Sequence, residues 1–63
     1  MDKEEFYYHF CTVMRRNGQV KLKQIAAIAN VSVPQARKFL DELLEEGKIR
    51  KEGASRATVY VFQ

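Results

Sequence analysis

Two short stretches of helical apolar spacing, a third helix with a marked start and stop, and a β-rich end interrupted by a turn predict an α+β fold. The order α-β-α-α-β-β that these segments follow is that of a winged helix-turn-helix: three helices with a small antiparallel β-hairpin as the wing. With 63 residues, of which 46% are hydrophobic, the chain is expected to form a single domain over residues 1–63. A domain of this size buries only about 60% of its unfolded surface. That leaves little interior for a catalytic cleft, so an enzyme is not expected.

The first helix is expected from Asp2 to about Arg16. Phe6, Phe10, Val13 and Met14 fall on one stripe, widened by Tyr7 and Cys11, while Tyr8, Thr12, Arg15 and Arg16 lie opposite. Asp2, Glu4 and Glu5 suit the positive end of the helix dipole, and Asn17-Gly18 supplies the positive φ that ends a helix. Gln19 to Leu22 alternates polar and apolar side chains and is read as a strand of a single bridge. Lys23 to Asn30 is a two-turn helix whose two Ile and three Ala permit close packing. The connection Ala29-Asn30-Val31-Ser32 lets Asn30 take the left-handed conformation and Val31 fill the angle between helices.

The third helix, 33–46, carries the clearest signals. Ser32 and Gln35 have capping-box spacing, Pro34 is tolerated in a first turn, and Gly47 stops the helix. Its core stripe is Ala36, Leu40, Leu43 and Leu44, with Val33 and Phe39 on the flanks. Residues 48–62 then form the hairpin: an extended segment KIRKE, a turn at Gly53-Ala54-Ser55, and a β-branched and aromatic strand. Tyr60 and Phe62 are read as packing residues of that hairpin, not as stacking platforms for bases.

Charge is segregated along the chain. Residues 15–38 hold six cations and no acid, whereas Asp41, Glu42, Glu45 and Glu46 form an acidic block, and a second basic block follows in the hairpin. Two basic blocks on one fold imply a polyanionic partner, with double-stranded DNA the natural one. The N-terminal half of the third helix is neutral or basic, so that half approaches phosphate without repulsion. Gln35 suits a bidentate pair with adenine, and Arg37 and Lys38 suit guanine, which makes these three the base-reading candidates for the major groove. Backbone candidates are Lys21 and Lys23 ahead of the second helix, Ser32 at the cap, and Arg50, Lys51 and Arg56 on the wing. Each has a structural reading beside the functional one: helix surface for Arg37 and Lys38, capping for Ser32 and Gln35, edge protection for the hairpin cations. Arg15 and Arg16 complement a helix C-terminus. A monomer with about four to six phosphate contacts binds weakly at physiological salt, so a homodimer or a partner protein is expected.

Other classes are disfavoured. No segment reaches the ~20 apolar residues of a membrane span, and Asp2, Lys3, Glu4 and Glu5 do not begin a signal peptide, so a cytoplasmic location without membrane contact is expected. One cysteine and one histidine assemble no zinc site, and neither metal nor cofactor is expected. Cys11 is read as a small buried apolar residue. The competing reading is a winged-helix protein-interaction module that uses the acidic face of the third helix together with Tyr8.

The run Ile25 to Phe62, IAAIANVSVPQARKFLDELLEEGKIRKEGASRATVYVF, resembles the PapI/FaeA family of small fimbrial-operon regulators. The shared features are QAR before a leucine-rich helix ending in Glu-Gly, a basic wing, and a closing strand of the A-T-x-Y-x-F type. The resemblance implies a short DNA-binding transcriptional regulator that acts with a larger global regulator at adenine-methylated GATC sites. It also implies recognition-helix roles for Gln35 and Arg37 and wing roles for Arg50, Lys51 and Arg56.

Overall fold

Each helix of the computed structural model, which describes residues 1–53 and 57–63, begins at a polar residue in extended conformation and ends in a left-handed one or a tight turn. Helix α1 spans Lys3–Asn17. Asp2 precedes it as the N-cap and does not belong to the first turn, because its carboxylate accepts the Glu5 N–H at 2.8 Å. Gly18 closes the helix by donating its N–H to the Met14 carbonyl at 2.8 Å.

Helix α2, Leu22–Ala29, starts one residue earlier than the sequence suggests, since the Gln24 side chain accepts the Lys21 N–H at 3.1 Å and fixes the entry there. Asn30 is not a last helical residue. It takes φ 58° and ψ 46°, and the chain leaves by two bonds, Asn30 N–H to the Ala27 carbonyl and Val31 N–H to that of Ala26. These are the paired bonds of a Schellman motif, and Val31, partly buried against the core, supplies its apolar contact.

Helix α3, Val33–Glu45, begins where Ser32 Oγ accepts the Gln35 N–H at 3.2 Å. The same Schellman pattern ends it, with Gly47 N–H bonded to the Leu44 carbonyl and Lys48 N–H to that of Leu43. Gly47 at φ 75° makes that reversal without the Cβ clash another residue would suffer.

Strand β1, Ile49–Glu52, pairs antiparallel with β2, Val59–Phe62, Ile49 facing Phe62 and Lys51 facing Tyr60. Gly53 leaves β1 at φ 92°, and a Cβ there would run into the Ala57 carbonyl oxygen. Ala54 and Ser55, the expected turn tip, lie outside the described residues. The expected short strand is a single bridge: Val20 and Tyr60 exchange both N–H···O bonds, at 2.8 and 2.7 Å. Strand β2 is therefore flanked on both edges at Tyr60, which faces Lys51 of β1 on one side and is hydrogen-bonded to Val20 on the other, and this ties the wing to the connection between α1 and α2.

The core joins Phe6, Phe10 and Val13 of α1, Val20, Ile25, Ala26 and Ala29 around α2, Ala36, Phe39, Leu40 and Leu43 of α3, and Ile49 and Tyr60 of the hairpin. Several assignments along the stripes change, and Met14 of α1 is only half-buried. Phe39, expected at a flank, is buried and stacks on Phe6 with ring centroids 4.9 Å apart, whereas Leu44 is only half-buried and Val33 is exposed. Ile28 also faces outward, because the buried line of α2 passes through Ile25, Ala26 and Ala29. Cys11 is half-buried and not enclosed, since it lies at the margin of the α1 stripe. None of the described helices is long and apolar enough to cross a membrane.

Candidate nucleic-acid interface

Alternation along the Gln19-Val20-Lys21 segment buries Val20 and leaves Lys21 exposed at the start of α2, with Lys23 in the first turn after it. The Val20–Tyr60 bridge brings this segment beside the hairpin, and the packing of α2 on α3 brings Arg37 to the same side. The result is a groove of about 770 Å³ lined by Lys21 and Lys23, by Arg37 of α3, and by Lys51 of β1. Leu22, Val59 and Tyr60 supply apolar lining; Gln19 and Thr58 add polar side chains. No acidic residue lines it among the described residues.

Three of the described cations are ion-paired within the fold, and the rest, Arg15, Arg16 and Lys38 among them, are not. Lys3 is paired with Glu46 and stands 3.8 Å from Glu42; Lys48 is 3.6 Å from Glu46; Arg50 is 2.6 Å from Glu52. Lys21, Lys23, Arg37 and Lys51 form no ion pair with the described residues, and Lys51 rests its ammonium 6.0 Å from the Tyr60 ring centroid. Four cations gathered without a counterion repel one another, and a polyanion relieves that repulsion.

Of the residues singled out by sequence, the structure thus brings Lys21, Lys23, Arg37 and Lys51 together. Gln35 and Lys38 are exposed on α3 but do not line the groove. Among the described residues the Gln35 amide makes no return bond to Ser32, so the capping box is half-formed and that amide is available to a ligand. Ser32 uses its oxygen as an acceptor and keeps its hydroxyl proton to donate. Arg50 is turned away from Lys51 by strand alternation. Its guanidinium is engaged with Glu52 and with the backbone carbonyls of Phe62 and Gln63 at 3.2 and 3.4 Å. Arg56 lies outside the described residues.

Gln19 and Thr58 escaped notice in the sequence because neither is charged nor part of a motif. Gln19 was within reach: it alternates in step with Lys21, on the side opposite Val20. Thr58 becomes a groove residue only through the hairpin register.

The acidic block is partly consumed within the fold. Glu46 and Glu42 anchor Lys3, which ties the start of α1 to the end of α3, and Asp41 and Glu45 remain exposed without an ion pair among the described residues. Tyr8 is 66% exposed, consistent with its place on the outer face of α1. Among the described residues no three His, Cys, Asp or Glu side chains gather as a metal site.

A family model described as FaeA-like protein matches residues 2–60, nearly the whole chain. This protein belongs to the FaeA-like family. The match extends through α1, beyond the segment 25–62 that carried the residue resemblance. Neither the comparison with curated proteins nor that with solved structures gave a match. Membership points to the class of fimbrial-operon regulators, not to an enzyme family.

Proposed function

We propose that this FaeA-like protein is a small, sequence-specific, double-stranded-DNA-binding transcriptional regulator and that residues 1–63 act as one winged-helix domain. The N-terminal half of α3 enters the major groove, where Gln35, Arg37 and Lys38 are the side chains within reach of base edges. The wing approaches the backbone or the adjacent minor groove. The observation that carries the reading is the unpaired cation set Lys21, Lys23, Arg37 and Lys51 around one acid-free groove. A footprint this small gives modest affinity, so the protein works with a larger DNA-binding regulator or as a homodimer, in the cytoplasm and without a cofactor.

Fluorescence anisotropy of a labelled duplex, titrated at several salt concentrations, tests this. Four phosphate contacts at roughly −0.9 each predict a slope of log affinity on log salt of about −3.6. Absence of binding even at low salt would sink the DNA reading and direct attention to the exposed Tyr8, Asp41 and Glu45 as a protein-binding surface.

A further inference from the structure

In a duplex, one phosphate ridge separates each stretch of major groove from the neighbouring minor groove. A helix seated in the first and a hairpin reaching toward the second straddle that ridge, so phosphates pass through the concavity between them. Here that concavity is the groove between α3 and the wing, lined by Lys21, Lys23, Arg37 and Lys51.

We infer that Arg37 is a backbone-phosphate ligand acting with Lys21, Lys23 and Lys51, that base reading falls to Gln35 and Lys38, and that Arg50 stands outside the interface. This rests on the DNA-binding reading above and divides its residues differently from their sequence assignment. Helix geometry makes the division. Gln35 and Lys38 are three residues apart and share one face of α3, whereas Arg37 projects about 100° from Lys38 and forms part of the groove wall. The planar guanidinium of Arg37 presents two parallel donors, a good match for phosphate oxygens. Arg50 carries the same head group but spends it on Glu52 and on the carbonyls of Phe62 and Gln63, and its strand position turns it away from the groove.

The test uses the whole chain and its Arg37→Ala, Lys38→Ala and Arg50→Ala variants. All three side chains are exposed, and far-UV circular dichroism verifies that each variant is folded. Bound sequences are selected from a random duplex pool, and the salt dependence of anisotropy is then measured on a selected duplex. Arg37→Ala is expected to select the same sequences as the wild type, weaken all of them alike, and reduce the steepness of the salt slope by about one. Lys38→Ala is expected to relax preference at a base position, and Arg50→Ala to change neither readout. The inference is overturned if Arg37→Ala relaxes a base preference with its salt slope intact, if Lys38→Ala lowers affinity uniformly as a phosphate contact does, or if Arg50→Ala flattens the slope. A wild-type protein that binds no duplex removes the underlying DNA reading and this inference with it, an outcome distinct from a wrong division of residues.

Discussion

Phe39 illustrates how a single side chain sets the geometry of this fold. It is buried and its ring lies over that of Phe6 at an interplanar angle of 25°, an aromatic contact that packs α3 against α1. Loss of a buried phenyl ring costs about 3–5 kcal/mol, a large part of the stability of a small domain. Phe39→Ala is therefore expected to be largely unfolded in urea concentrations that leave the wild type native. Val33→Ala, on the same helix but exposed, is expected to lower the unfolding free energy by no more than about 0.5 kcal/mol. Equal losses in the two variants would contradict the burial pattern. The same scale explains why two arginines of similar sequence context have different availability: Arg50 is ion-paired with Glu52, two residues on along its own face of β1, whereas Arg37 forms no ion pair with the described residues, Asp41 included.

Among the elements, the contact between the start of α1 and the end of α3 is electrostatic as well as apolar. The hydrogen bond from Lys3 holds the Glu46 carboxyl below its usual range, and the same bond raises the Lys3 ammonium above its own. The signs follow from linkage. A lowered carboxyl contributes stability that is present above its ordinary pKa and lost as pH falls through the lowered one; a raised ammonium contributes stability that is lost as pH rises through the raised one. Both groups are exposed, so the effect is small and screened by salt. Lys3→Met is expected to lower the thermal midpoint at about pH 7 and to converge with the wild type at about pH 2, where Glu46 is protonated in both. A difference that persists undiminished at the acid end would locate the effect in packing and not in the ion pair. The Schellman endings at Asn30 and Gly47 act at this scale too, since they set the angles at which α3 leaves α2 and the wing leaves α3.

Across the whole molecule, charge is sorted by direction. The groove cations are unpaired, while part of the acidic block lies at the far end of α3 in contact with Lys3. Asp41 is the exposed acid of α3 nearest Arg37 and Lys38 along the chain, so it marks the limit of the surface that tolerates phosphate. Removing its charge is expected to raise duplex affinity by roughly twofold at low salt, the size of one unit interaction at about 10 Å in water, and to have less effect as salt increases. Anisotropy with Asp41→Asn measures this. Glu46→Gln, whose charge is spent on Lys3 at the helix end, is expected to alter affinity less. A larger gain from Glu46→Gln would mean that the far end of α3 lies closer to the duplex.

The sequence by itself determined the element types and most of their ends, because capping residues, Asn30, Gly47 and the apolar periods act through local backbone chemistry. It also determined that the cations fall in two blocks, and the residues of the QAR segment and closing strand were enough to suggest the family. Which cations meet was decided by tertiary structure. Lys21 and Lys51 are thirty residues apart and become neighbours through the Val20–Tyr60 bridge and the Lys51–Tyr60 register. Arg50 and Lys51 are adjacent in sequence and are separated by the alternation of a strand whose facing could be known only once that strand was paired. The burial of Phe39 has the same origin: helical spacing defines a stripe, but the partner ring of Phe6 decides how wide the buried part of that stripe is.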